Sequence, residues 1–226
     1  MKPVDAENGD RQIALYLTGE HPCSYLAGFK ARTLFVDPTA PMDPIAYQSL
    51  IDQGFRRSGA HVYRPACRQC TRCVPVRIPV ATFQPNRSQR RNWARNSPEL
   101  DITLAPAAFN PRHFALYLRY LESRHGDGGM AEDTSTTSYR RFLIEPWGGD
   151  TRFMEIHAGG DLVGVAVTDF LIHGLSAVYT FFDPELSERA PGTFAVLAQI
   201  ELARRLAVPY LYLGYWIEAS QKLAYK

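Results

Sequence analysis

The chain has 226 residues and a formal net charge of +2, with 46% hydrophobic and 21% charged residues, a balance that excludes a disordered tail, a collagen and a coiled-coil rod. No apolar run approaches the roughly 18 residues of a membrane-spanning helix, and the first ten residues carry three acids and no apolar stretch, unlike a secretory signal. Four cysteines without such a signal predict a protein of the reducing cytoplasm, sized for one domain or two small ones.

Taken in chain order, the apolar segment ending in Leu34–Val36 predicts a strand. Asp43-Pro44, a cap residue followed by proline, opens a helix through about Gln53. His61–Pro65 and Val76–Phe83 read as short strands, and Pro75 and Pro79 confine the second to a sheet edge. Residues 86–96 read as a basic helix closed by Pro98. Leu100–Leu104 predicts a strand, and Asn110-Pro111 starts a helix whose Phe114, Tyr117, Leu118 and Leu121 share one apolar face. A Gly-rich loop around Asp127 leads to a helix at Thr136–Ile144. Strands follow at Thr151–His157, Leu162–Phe170 and Leu175–Phe182, the last two joined as a hairpin. Thr193–Leu206 reads as a deeply packed helix and Tyr210–Trp216 as a buried strand. This order predicts a mixed α/β (α+β) architecture. Residues 1–99 form a Cys/Arg-rich N-terminal domain and residues 100–226 a domain with the element order of Gcn5-related N-acetyltransferases, an acyltransferase fold.

Charge is unevenly distributed. The 46 residues from Gln53 to Pro98 hold ten arginines and no lysine, aspartate or glutamate, which leaves the other 180 residues at −8. Such a block predicts a polyanionic partner, since guanidinium groups grip phosphate bidentately and stack on bases. Arg87, Arg90, Arg91 and Arg95 recur at helical spacing and form one positive face, with Trp93 beside it as a stacking surface for nucleic acid. The plainer alternative is a solvated basic helix.

Cys67, Cys70 and Cys73 are spaced so that successive thiolates turn toward one centre, and Cys23 supplies a fourth ligand. This predicts a zinc or iron–sulfur site, the residues themselves not choosing between the metals. Arg68, Arg72 and Arg77 are expected to lower the thiol pKa values, which keeps a redox-sensitive cysteine set open as a variant. Ahead of the late helix, the segment Arg189 to Phe194 stands where an acetyltransferase carries its pyrophosphate loop. Phe194 replaces a small residue and Pro191 removes an amide donor, so acetyl-CoA is not expected as donor.

The motifs HPCSYL, CxxCxxC, FQPNRSQRR, RHGDGGM, VYTFFDP and YLYLGYWI occur in the order seen in bacterial aspartate/glutamate leucyltransferases, and the chain resembles that family from about residue 21 to 226. These enzymes are relatives of arginyl-tRNA–protein transferase. The resemblance implies transfer of leucine from leucyl-tRNA to the α-amino group of proteins beginning with Asp or Glu, which marks them for N-end rule degradation. Family members run slightly beyond the residues matching Tyr225-Lys226.

For that chemistry, Asp183 is the expected proton acceptor or relay and Tyr179 the donor to the oxyanion or leaving ribose oxygen; the plainer alternative is core packing, with Asp183 a cap before Pro184. One of Phe181 and Phe182, which alternate along a strand, would line the leucine pocket. Asp127 is read as an amine-binding carboxylate or a turn residue, and Lys222 as a contact to the tRNA 3′ end or a solvated lysine. An acidic acceptor also demands a cation, which the sequence does not single out. The alternatives are an arginyl-tRNA–protein transferase, an acetyl-CoA-dependent N-acetyltransferase and a metal-stapled RNA-binding protein.

Overall fold

The structure is a computed structural model that describes residues 13–125 and 133–220. Among these residues no helix is long and apolar enough to cross a membrane.

The first part of the chain builds a small sheet. Its four strands are β1 (Leu15–Leu17), β4 (Thr33–Val36), β5 (Arg56–Ser58) and β6 (His61–Pro65), ordered β1-β4-β6-β5. A two-stranded ladder of β2 (His21–Pro22) and β3 (Lys30–Ala31) lies between β1 and β4 in sequence. Helix α1 (Pro44–Asp52) starts where Asp43 accepts the Ala46 N–H at 2.8 Å, as the cap-plus-proline pattern predicts. Its Tyr47, Leu50 and Ile51 pack with Val36, Val62 and Trp147.

The larger sheet has six strands. These are β7 (Val74–Pro79), β8 (Leu100–Pro106), β9 (Asp150–Ala158), β10 (Asp161–Leu171), β11 (Gly174–Phe182) and β12 (Tyr210–Trp216), in the order β7-β12-β11-β10-β9-β8. β7 is an edge strand, which accommodates its two prolines, but it starts two residues earlier than the periodicity predicts and ends at Pro79. Because β7 runs antiparallel to β12, the sheet takes strands from both sides of residue 99. Helices α3 (Pro111–His125) and α4 (Thr136–Leu143) cover one face, around Tyr117, Leu121, Tyr139, Phe153 and Phe181. Helices α2 (Arg87–Asn96) and α5 (Pro191–Arg205) cover the other, around Trp93, Met154, Ile156, Phe194 and Ala198. The α+β class follows from these layers.

Helix α5 begins two residues ahead of the expected Thr193. Pro191 supplies the pre-set φ of a first helical residue, and Ala190 reverses the chain at φ +48.

Candidate functional site

β11 and β12 are neighbours and run parallel, yet they pair only from Gly174–Ser176 to Tyr210–Tyr212. Beyond that they part, and β12 continues against β7. The opening is lined by Ser176, Ala177 and Val178 from β11, Gly214 and Tyr215 from β12, and Arg56 from β5. On its other side β11 shifts register against β10 between Val167 and Thr168, which leaves Val178 as an extra residue. The bulge re-aims the strand, so Val178, Tyr179 and Phe181 all meet the α3–α4 layer.

Tyr179 stands among the rings of Tyr117, Tyr120 and Phe142, with centroids 6.2, 6.3 and 5.2 Å away. Its hydroxyl is buried without a hydrogen-bond partner among the described residues. Burial, reinforced by Tyr120 and Tyr117, holds the phenol well above its ordinary pKa. It therefore stays protonated, able to donate a hydrogen bond and unable to act as a base.

Asp183 follows β11 directly. One carboxylate oxygen accepts the Glu185 N–H at 3.1 Å, capping the short 3-10 turn Pro184–Arg189, and the other accepts from Arg119 Nη2 at 3.0 Å. Phe181 is fully buried in the core, whereas Phe182 is half-buried and packs its ring on Tyr120 at 5.0 Å. Asp127 and Lys222 lie outside the described residues.

The segment ahead of α5 is locked to α2. Arg189 Nε donates to Asn96 Oδ1 at 3.1 Å and its Nη2 pairs with Glu99 at 2.7 Å, while Asn96 Nδ2 donates to the Arg189 carbonyl at 3.0 Å. The Thr193 and Phe194 N–H groups both donate to the Ala190 carbonyl. The Thr193 and Phe194 amides and the Arg189 guanidinium are thus committed within the protein.

Helix α2 is closed at its start by a reciprocal cap, Gln89 N–H to Asn86 Oδ1 at 2.9 Å and Asn86 N–H to Gln89 Oε1 at 2.8 Å. Arg87, Arg90, Arg91 and Arg95 are all exposed and bring the predicted positive face together. Trp93 corrects the sequence expectation: its ring turns inward onto Phe194, centroids 5.4 Å apart, and is no stacking surface. The i, i+4 spacing from Gln89 to Trp93 already placed it on the half-buried side.

Cys23 and Cys73 pack at the edge of the Leu26–Tyr215–Ile217 cluster, and Cys67 Sγ lies 3.8 Å from the Arg32 carbonyl. The expected lowering of thiol pKa fails at Cys73. Burial first, then the proximity of Cys23, Cys67 and Cys70, pushes its thiol up to about 11. Two of the three arginines expected to lower the thiols are engaged elsewhere, Arg72 over the Phe29 ring at 4.9 Å and Arg77 with Asp52 at 2.7 Å. All four cysteines are free, and among the described residues no three His, Cys, Asp or Glu side chains are set to hold a metal ion as they stand.

A further cation at the opening between β11 and β12 is Arg56. Sequence reasoning left it inside the basic block, and the adjacent Arg56-Arg57 pair on a short strand, which must face opposite sides, was the available signal.

Comparison with known proteins places the chain among the aminoacyl-tRNA–protein transferases. The family described as "Arginine-tRNA-protein transferase, C terminus" matches residues 112–226, and its N-terminal counterpart matches residues 21–91. A relative from Marinobacter nauticus named aspartate/glutamate leucyltransferase is 49% identical over 216 residues, 96% of this chain and 90% of its own. One from Stenotrophomonas maltophilia with the same name is 50% identical over 229 residues, 98% of this chain and 90% of its own. The chain belongs to the aspartate/glutamate leucyltransferase family. Among solved structures, the C-terminal domain of a putative lysylphosphatidylglycerol synthetase from Agrobacterium fabrum aligns with TM-score 0.48 and 10% identity, over 77% of this chain and 53% of that one. That likeness is too weak to carry a functional argument.

Proposed function

We propose that the protein transfers leucine from leucyl-tRNA to the α-amino group of proteins beginning with Asp or Glu, in the cytoplasm, and so marks them for N-end rule degradation. The observation that carries this reading is identity near 50% along almost the whole chain to relatives bearing that name. The larger sheet with α3–α5 is read as a GNAT-like half, residues 100–226, completed by β7 and α2 from the Cys/Arg-rich region 1–99.

In this reading the acceptor amine attacks the ester carbonyl carbon. The tetrahedral intermediate collapses with cleavage of the carbon–oxygen bond to the ribose, and the amine proton ends on the freed ribose hydroxyl. An aminoacyl ester is already activated, so alignment and oxyanion stabilisation dominate. The protonated Tyr179 hydroxyl, buried and unpartnered among the described residues, suits donation to the oxyanion. Asp183, paired with Arg119, is the relay for the amine proton. Phe182 is the better exposed of the two candidate phenylalanines for the leucine pocket. The arginines of α2 are taken to meet the tRNA backbone, and the commitment of Arg189 to Asn96 and Glu99 speaks against a pyrophosphate cradle for acetyl-CoA.

The cysteines fit a thiolate-bound metal in donor chemistry, since all four share one neighbourhood around Cys73. Cys23, Cys67, Cys70 and Cys73 would hold zinc or an iron–sulfur cluster as a staple between the β2–β3 loop and β7.

Radiolabelled leucyl-tRNA incubated with four peptides beginning with Asp, Glu, Lys or Ala tests the reading. Label on the Asp and Glu peptides alone is expected. Label on the Lys peptide, or transfer from arginyl-tRNA instead, would overturn the assigned specificity.

A further inference from the structure

Two consecutive arginines on β5 meet opposite fates. Arg57 is sealed in the core against Asp169. Arg56 lines the opening between β11 and β12, half-buried, and among the described residues no carboxylate pairs with it. Tyr47 and Tyr215 line the same opening. Its guanidinium stands 5.7 Å from the centroid of the Tyr215 ring, and the Tyr215 hydroxyl is already spent on the Gly54 carbonyl at 2.8 Å. A half-buried guanidinium beside an aromatic ring, with no carboxylate partner among the described residues, leaves its N–H donors open to an incoming anion.

The backbone is shaped around this group. Gly214 sits at φ +75, in the left-handed region that favours glycine, where β12 shifts register against β7. A Cβ at that position would lie 2.8 Å from Arg56 Nη1. The strand thus leaves out a side chain where the guanidinium lies. The recess offers about 20 Å³ to the centre of a water-sized group, room for one or two polar atoms beside the guanidinium.

We propose that Arg56 reads the side-chain carboxylate of the acceptor's first residue, as the specificity-determining cation of the site. This rests on the leucyl-transfer reading above. A planar guanidinium takes a carboxylate through two parallel hydrogen bonds, a geometry that an amide of the same shape cannot complete with full charge. The recess favours a small carboxylate over a tRNA phosphate, for which the exposed arginines of α2 are better placed.

The test measures leucyl transfer to peptides identical except for a first residue of Asp, Asn, Glu, Gln or Lys, with wild-type protein, Arg56→Gln, Arg56→Lys and Arg56→Glu. Arg56→Gln should lose about 30-fold or more in kcat/KM for the Asp and Glu peptides, mainly through KM, the loss expected on removing one partner of a buried charge pair. Asn and Gln peptides should be nearly unaffected, so the acid-over-amide preference collapses. Arg56→Lys should retain part of that preference, which keeps the test decisive if the Gln variant folds poorly. Arg56→Glu should gain on the Lys peptide. Wild-type preference retained in Arg56→Gln, or an equal loss on all peptides with a raised KM for leucyl-tRNA, would overturn the assignment in favour of no contact or a tRNA contact. No label with wild-type protein would instead remove the transfer reading itself, an outcome read before any variant.

Discussion

Arg57 and Asp169 form a two-pronged ion pair inside the protein, Nε to Oδ2 at 2.7 Å and Nη2 to Oδ1 at 2.6 Å, with both side chains essentially sealed from solvent. The guanidinium also donates to the Gly59 carbonyl and to Thr151, and lies 4.9 Å from the Trp147 ring centroid. The pair fastens the small sheet to β10 of the large one. Removing one partner leaves a buried charge uncompensated, so Asp169→Ala should lower stability by about 3–5 kcal/mol. Urea unfolding of Asp169→Ala, Arg57→Met and the double variant checks it. The double variant should be less destabilised than the two single losses added.

That pair joins residues 112 positions apart, and nothing local announces it. The elements that sequence reasoning placed well are those with local causes: Asp43-Pro44 and Asn110-Pro111 start helices because cap and φ are set within four residues. The expected order from β8 to β12 holds for the same reason. What failed depends on tertiary partners. Of the ten arginines read as one basic block, Arg57 forms a core ion pair, Arg77 a surface pair, Arg56 a recessed cation and four an exposed face on α2. The motif singles out Tyr179 and Asp183 as candidates, but not the bulge at Val178 that aims Tyr179, because a bulge is defined by the neighbouring strand.

The α2 face and Trp93 separate by experiment. Arg90→Glu with Arg91→Glu should weaken tRNA binding and lower the salt slope by about one for each arginine lost. Trp93→Ala, which removes packing against Phe194, should cost about 2 kcal/mol of stability with the slope unchanged. Filter binding across a salt series and thermal unfolding give both readouts. An unchanged slope in the double arginine variant would remove α2 from the tRNA interface.

His113 predicts acid sensitivity. It is 2% exposed, its Nε2 lies 2.7 Å from Glu155, and its Nδ1 is buried without a partner among the described residues. Burial lowers its pKa, against the opposing pull of the Glu155 hydrogen bond and charge. The unfolded chain therefore takes up the proton first as pH falls through about 6.5. The stability from neutral His113 is fully present above that value and is lost as pH drops toward the folded pKa. Urea midpoints at pH 7.5, 6.5 and 5.5 should fall more steeply for wild type than for His113→Gln. Parallel falls would assign the sensitivity to other groups.

Asp183 has two separable tasks. Its oxygens cap the 3-10 turn through Glu185 N–H and hold Arg119, and the transfer reading adds relay of the amine proton. An α-amine with pKa about 7.7–8.0 needs only modest help, so the relay is set at the low end of general-base effects, about 100-fold. Asp183→Asn keeps an acceptor for the Glu185 N–H but cannot take a proton. It should therefore retain its unfolding temperature while kcat falls about 100-fold, and activity should recover as the pH rises and more acceptor amine is deprotonated. Asp183→Ala should lose the cap as well, about 1 kcal/mol of stability. Near wild-type kcat in Asp183→Asn would leave the cap and the Arg119 contact as its whole contribution, and the amine would then lose its proton to solvent or to the departing ribose oxygen.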